Sequence, residues 1–563
     1  MKRTDHFTVV MIFVLPFCIL LPVKAELILN NRAITWNPGI TVSIPAKKDT
    51  VNLNDYGAKG DSTTDNAPAF TDAINALPSS GGVIRVPSGK FIVSQSIPIG
   101  KSIIIAGNGY NTTRLYFTNS DSKPCFDVVT YQRGTWVAVT SGFSKGSTQL
   151  QVEDASSFTP GCFVELQQSN DSSLMYTKPD WKQSWSENAV GQLNTVLSVN
   201  SNTITLNRPL YLDYNAKLSP QIRKQGFVTF AGFENLYIKK MISTADGATF
   251  SFKNAAYCHV KNVESDHTLK AHISCETVYS CDFSHNYFHH AFDYGGDGHG
   301  YGISLGLHTT DCLIEDNIFY HLRHAMLTQL GASGNVFGYN YSSENVQGTG
   351  EANLNQGWTP CDISMHGHFP NNNLFEGNVV QEVDISDYWG PCGSGNTLFR
   401  NKVLKEGIDV LDHSNNQNIL ANMMPTVSYG ILIDTGITGT FSHGNTINGL
   451  TQWDNTTADH TLAFSYYLVS KPSYFTTELF PTFGPDVSGT SKIPAENRFE
   501  QGLFIVKTKP RIQLQNNNRR EESIMYNPLG RQLSEDHHRI SVQTKSSGVF
   551  ITASKNKTTV KLR

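Results

Sequence analysis

Between residues 285 and 410 the sequence gathers side chains that can move protons, carry charge and offer an aromatic face. His321-Leu322-Arg323-His324 places two imidazoles and a guanidinium within four residues, and Asp362 is followed by His366-Gly367-His368. Glu344 and Glu382 add carboxyls, Asp293 and His299 lie in a glycine-rich stretch ending at Tyr301, and Trp358 offers an aromatic face. Two chemistries fit such a set. Hydrolysis with inversion needs an acid and a base carboxyl roughly 6.5 to 9.5 Å apart, and Asp293, Asp297, Glu344 and Asp362 are available. β-Elimination needs a cation against a uronate, a base for the C5 proton and an acid for the leaving oxygen. Arg323, His324 and Tyr301 would supply those three roles.

What could bring these residues together is a repeat. Short apolar runs ending in Asn recur at Asn262, Asn286, Asn317, Asn340, Asn378, Asn401, Asn422 and Asn445, with a base period of about 23 residues and two enlarged intervals. A period in the low twenties, several short β runs per repeat and no long helical pattern match one coil of a parallel β-helix. The Leu-x-x-Leu-x-Leu signature of leucine-rich repeats is missing. An Asn repeated at one turn tolerates left-handed backbone and can hydrogen-bond its copy in the next coil. Residues at equal offsets from each Asn should then stack in columns. Four residues after it come Asp266, His290, His321, Glu344, Glu382 and Lys405; sixteen before it come Tyr301, His324, Asp362, Ile385, Glu406 and Tyr429. The enlarged intervals hold residues 293–301 and an insertion ending near Asp362, and long loops on a rigid scaffold tend to carry function. The expected groove spans 290 to 382, with Trp358, His321, His368 and Glu382 contacting substrate. Solvated polar ladders with no function are the alternative for these columns.

Ahead of the repeats, Val51 to Asp61 leads through Asp65 and Asn66, plausible helix caps, to apolar positions Ala67, Phe70, Ala73 and Ile74, the spacing of a short amphipathic helix. Gly81-Gly82-Val83-Ile84-Arg85-Val86-Pro87 then reads as turn and strand. This segment closely resembles the entry segment of the pectate-lyase superfamily, as in rhamnogalacturonase-like and polygalacturonase-related proteins and many phage tail spikes. The resemblance implies a right-handed parallel β-helix capped by the helix, in a family whose members mostly bind or cleave polysaccharides. Gly298-His299-Gly300 resembles the Gly-His-Gly segment of polygalacturonases, which would give His299 a catalytic role. The other polygalacturonase elements have no match here, nor have the Arg-x-x-x-Arg and the calcium-binding carboxylate cluster of pectate lyases in the corresponding coils.

The remainder sets the context. Lys2 and Arg3, an apolar run from Phe7 to Leu21, and Val23-Lys24-Ala25 have the form of a signal peptide cleaved after Ala25. Secretion to the extracellular space or cell surface follows. Without Cys18, eight cysteines remain, enough for up to four disulfides in unspecified pairing. Residues 130 to 225 interrupt the repeat with alternating strands around Trp181 and Trp185, an expected inserted β subdomain whose aromatics either fill a core or line a sugar site. Ser465 to Ala495 reads as an extended strap. From 503 to 563 there are twelve Lys or Arg against four Asp or Glu, and the blocks at 524–531 and 547–551 are similar to the sorting domain of type IX secretion substrates, which would make a secretion machinery a partner. A plain terminal β module is the alternative. A net charge of −4 gives no basis for nucleic-acid binding. No later segment is long and apolar enough to span a membrane.

The expectation is therefore an all-β, right-handed single-stranded parallel β-helix over 26–500 with a cap helix, an inserted β subdomain and a small C-terminal β tail. Its function would be cleavage of glycosidic bonds in a polysaccharide, hydrolysis being favoured, with a lyase or a non-catalytic glycan-binding protein as alternatives. The catalytic candidates are His324, Asp362, Arg323, Glu344, His366, Tyr301, His299 and Asp293. No cofactor is expected. A cation on His366, His368 and Asp362 is the weaker alternative, since Ca²⁺ prefers all-oxygen ligation and the spacing matches no zinc signature.

Overall fold

The computed structural model describes residues 28, 32–296, 298–354, 360–489 and 491–505, and the backbone of 540–545, 548–553 and 558–562. The leader 1–25, Asp297, Trp358 and the 524–531 block lie outside the described residues. Three sheets of 12, 13 and 11 strands, parallel but for the last strand of the 13-stranded one, form the main body, successive coils adding short strands to each. This is the single-stranded parallel β-helix, wound in the right-handed sense that parallel crossovers take.

The interior follows from the repeat. Register places Phe283, Ile314, Phe337, Phe375, Leu398 and Ile419 opposite one another in successive coils of the 12-stranded sheet. All six are fully buried, and the Phe337 and Phe375 rings stack at 4.6 Å. Cys258, Cys281 and Cys312 form a similar inner column as free thiols, and the other five described cysteines are also unpaired. These thiols fill core volume, where burial pushes Cys281 well above its ordinary pKa. The disulfides permitted by the count are not formed.

The corner after this sheet is held by asparagines. Asn286, Asn317, Asn340, Asn378, Asn401, Asn422 and Asn445 form an unbroken chain. Each side-chain oxygen accepts from the backbone N–H and the amide of the preceding Asn, at 2.9–3.0 Å. The left-handed residue is the one before the ladder Asn: His285, Asp316, Tyr339, Gly377, Arg400, Ala421 and Gly444 have φ of 52° to 70°. Bulky residues pay about 1–2 kcal/mol for that conformation, and the buried amide chain beside them fixes it. Asn262 belongs to this left-handed column, since Val260 pairs with Phe283, so the ladder starts at Asn286. A second chain, Asn335, Asn373, Asn396 and Gln417, holds another corner.

Both ends of the stack are closed. Helix Ala67–Ala76 buries Phe70 and Ala73 at the start, and Asp65, not Asn66, accepts from the first helical N–H. Asn66 instead donates to the carbonyls of Lys59, Thr64 and Ile92. At the far end Asn445–Ile447 pairs with the antiparallel strand Leu450–Gln452. The strap is fastened by Arg400, which donates to the carbonyls of Ala463 and Phe483 and pairs with Asp486 at 2.7 Å. It does not stay extended throughout, because Pro494 opens a helix, Pro494–Glu500.

Residues 137–225 form a closed six-stranded barrel with its own core of Leu150, Val164, Leu166, Val196 and Ile204. It docks on the coils through buried pairs: Glu165 with His308 at 2.8 Å, and Tyr211 with Asp311 at 2.6 Å. The 507–563 unit contains one three-stranded antiparallel sheet, Ile540–Lys545, Gly548–Ala553 and Thr558–Leu562. No helix among the described residues is long and apolar enough to cross a membrane.

Candidate active site

The 11-stranded sheet carries a cleft of about 1000 Å³ on its outer face. Its floor comes from successive coils: Tyr301–Leu305, His324–Thr328, Ile363–Met365, Val383–Ile385 and Gly407–Val410. Register sets Tyr301 beside His324, and the turn after Ile363–Met365 brings His366 to the same place. The three rings form a triangle with centroid separations of 5.2, 6.0 and 6.3 Å. Arg323 lies over the Tyr301 ring at 5.8 Å, and its guanidinium donates to the Gly295 carbonyl.

Asp387 organises this centre. Its carboxylate meets His366 Nδ1 at 2.7 Å and accepts from Ser364 Oγ at 2.8 Å, with His324 Nε2 at 4.0 Å. Burial opposes its ionisation, but the charge and hydrogen bond of His366, helped by His324 and Ser364, outweigh it and hold the carboxyl well below the usual range. In the neutral form of His366 an ionised Asp387 keeps the hydrogen on Nδ1, which leaves Nε2 as a proton acceptor. His324 is buried, 3% exposed, and burial pushes its pKa down to about 3. Its Nδ1–H donates to the Cys361 carbonyl at 2.8 Å, and Nε2 makes no hydrogen bond to the described residues.

Beside this centre stand Glu382, Asp384 and Asp409, whose carboxylate oxygens lie within 4.8 Å of one another. Burial, then the neighbouring carboxylates, pushes Asp384 up to about 7 and Glu382 up to about 8. Tyr429 donates to Glu382 at 3.1 Å and to Asp409 at 3.3 Å. This all-oxygen set is the one in the cleft that suits a hard cation such as Ca²⁺. Trp389, Tyr388 and Trp185 make an aromatic wall, Trp185 reaching in from the barrel at 47% exposure, while Trp181 of the same segment is buried and donates to the Tyr388 carbonyl. Lys270 also lines the cleft and pairs with Asp246 at 3.1 Å.

The structure therefore brings together Tyr301, Arg323, His324, His366 and Glu382 of the expected residues and disperses the others. Asp362 pairs in register with the position of Ala325, not His324, because Met326 lies opposite Ile363. It is fully buried behind the cleft, where its carboxylate accepts from the N–H groups of Gln381 and Glu382. His368 is also buried, bonded to the Trp181 carbonyl at 2.8 Å. The cation set of His366, His368 and Asp362 does not converge for these reasons. His321 and Glu344 pair at 3.3 Å in another column, not in the cleft lining. Asp293 and His299 pair at 2.6 Å in the loop over the cleft, with Asp293 also accepting from Gly350 N–H. Asp384, Asp387, Asp409, Trp389 and Lys270 escaped the column reasoning, because fixed offsets from the ladder Asn fail on this sheet. The neighbouring turns differ in length from coil to coil. The stacking of Asp384 on Asp409 in register was the signal available to a coil-by-coil alignment.

Comparison with known proteins agrees with this architecture. Residues 50–183 match the family "Rhamnogalacturonase A/epimerase, pectate lyase-like". The chain folds as a pectate-lyase-like β-helix. A pre-neck appendage protein of Bacillus phage B103 is 39% identical over 74 residues, which is 13% of this chain and 8% of that protein, so this chain matches only a small part of its curated relatives. Among solved structures, the tailspike of Pseudomonas phage phi297 superposes with a TM-score of 0.48 at 14% identity, covering 71% of this chain and 70% of that one. A tailspike of Acinetobacter baumannii bacteriophage AP22, solved with a capsular saccharide, gives 0.44 at 13%, covering 71% and 64%.

Proposed function

We propose that the cleft is the active site of a secreted enzyme that cleaves an acidic polysaccharide by β-elimination. The observation that carries this reading is the His366–Asp387 pair, closed at 2.7 Å and facing Tyr301 and Arg323 in one cleft. In this scheme Arg323, with Lys270 of the cleft lining, neutralises the substrate carboxylate, which makes the adjacent C5–H acidic. His366 Nε2 takes that proton, and the imidazolium is stabilised by Asp387. The C4–O bond then breaks as the C4–C5 double bond forms, and the Tyr301 hydroxyl, which burial pushes up to about 12 and keeps protonated, gives its proton to the leaving oxygen. The aromatic wall holds the flanking sugars. The match of residues 50–183 to a pectate-lyase-like family supports a polysaccharide as the substrate class.

A specific observation also supports hydrolysis: Asp384 is pushed up to about 7 while its neighbour Asp387 is held ionised, the split between acid and base that a glycosidase needs. Incubating the purified chain with uronic-acid polymers, while recording reducing ends and ultraviolet absorbance together, separates the readings. New reducing ends with new absorbance and loss of both in H366A support elimination. Reducing ends without absorbance replace it with hydrolysis on Asp384 and Asp387. Glycan binding without product overturns turnover in favour of an adhesive role.

A further inference from the structure

A second constellation lies away from the cleft, on the 13-stranded sheet, where strands Glu264–Thr268 and Tyr287–Ala291 pair with Asp266 directly opposite His289. Three ligand atoms converge there. His289 Nδ1 is 2.9 Å from His290 Nδ1 and 3.5 Å from Asp266 Oδ1. Ligands bound to one tetrahedral ion at about 2.0–2.1 Å stand roughly 3.3–3.4 Å from one another, so the trio already has close to the spacing that a shared ion requires. His267 Nδ1 contacts the same Asp266 oxygen and also meets Lys239 Nζ at 3.3 Å, which leaves the fourth position to water.

The surroundings are those of a built site. His289 Nε2 meets Glu264 at 3.3 Å, which puts hydrogen on Nε2 and turns the Nδ1 lone pair toward the trio, the carboxylate–histidine arrangement common behind metal ligands. The other oxygen of Asp266 is held by the Tyr237 hydroxyl at 2.5 Å and by Lys239 at 3.0 Å, leaving Oδ1 for the site. His267 and His290 stack at 5.4 Å, and the side chains of Asp266, His267 and His289 keep 11–17% exposure, enough for an ion to enter.

We propose that Asp266, His289 and His290, with His267 beside them, bind a divalent transition ion, Zn²⁺ by donor set, and so pin two successive coils together. The nitrogen-rich set excludes Ca²⁺ as the preferred ion. Lys239 is the group that opposes binding, and its ion pair with Asp266 sets the competition the metal must win.

The test is titration of chelator-stripped full chain with Zn²⁺ by calorimetry and with Co²⁺ by visible absorption. One ion per chain, a tetrahedral Co²⁺ spectrum and a melting temperature raised by Zn²⁺ are expected. H289Q and H290Q should weaken binding at least 100-fold, and E264Q about 10- to 100-fold, with circular dichroism showing that each variant is folded. K239M should tighten binding. No binding by the unaltered chain overturns the proposal, and so does binding that persists in folded H289Q/H290Q. Binding lost in D387N but kept in H290Q places the ion in the cleft and equally overturns it.

Discussion

The same coils build the Asn corner and the cleft, and the two differ in every respect that matters for their work. At the corner one residue type repeats from Asn286 to Asn445, each amide answers the next, and turn geometry is constant. On the 11-stranded sheet the residues change from coil to coil. Rings give way to carboxylates, the neighbouring turns vary in length, and groups stand in costly states: His324 Nε2 without a hydrogen bond to the described residues, and Asp384 and Glu382 pushed toward protonation by burial. Repetition with full pairing marks the frame, and broken repetition with polar atoms left without hydrogen bonds marks the proposed site.

Variants can break that contrast. The largest effect expected is on turnover: H366A and D387N should each lower kcat at least 100-fold, measured as initial rates on the responsive polymer, with the thermal unfolding midpoint nearly unchanged. A parallel fall in stability would make His366 part of the frame. N340A should do the opposite, lowering stability by about 1–3 kcal/mol in denaturant unfolding, because it leaves the buried backbone N–H of Asn317 and one of its two amide hydrogens unanswered. Activity per folded molecule should be retained.

Smaller effects sharpen the comparison. The folded pKa of Asp384 stands above its unfolded value, so the protonated form is favoured in the native state. Its contribution is fully present below pH 4 and is lost as pH rises through about 7. D384N should therefore be more stable than the parent chain at pH 8, with the difference in melting temperature shrinking toward pH 4. A constant difference would remove the cleft from the list of strained regions. W389A, on the aromatic wall, should raise KM several-fold and leave kcat nearly unchanged in steady-state kinetics, as expected for a residue that holds sugars remote from the reacting bond.

This contrast also explains what could be read from the residues alone. The Asn period is legible because a buried amide chain demands the same residue every coil, and it carried the coil architecture. It misled by one position at Asn262, where an Asn occupies the left-handed site beside the ladder and local sequence cannot tell the two apart. Arg323, His324 and Tyr301 were found because they lie close to strands whose spacing follows the ladder. Asp387 and Asp384 were not, because the intervening turns have no fixed length, and Asp362 was misplaced by one register step into a buried capping role. Trp185 reaches the cleft from a separate barrel, a proximity that no spacing within the repeat encodes.

The barrel also bears on the order in which the chain assembles. Phe126–Val129 pairs with Phe250–Ala256, so two adjacent strands of one sheet are separated by roughly 120 residues. Closing a flexible loop of that length costs about 4 kcal/mol in chain entropy. The first and last barrel strands, however, lie side by side, with Ile222 opposite Val137. A barrel that collapses first delivers its two ends together, and the coils on either side then meet across a short gap. The early coils can zip from the cap helix and the later ones along their own ladder, and joining the two runs waits on the barrel. Because Trp185 travels with it, the cleft becomes complete only at that late step, and the rate of barrel folding would set when a newly made chain first acquires its site.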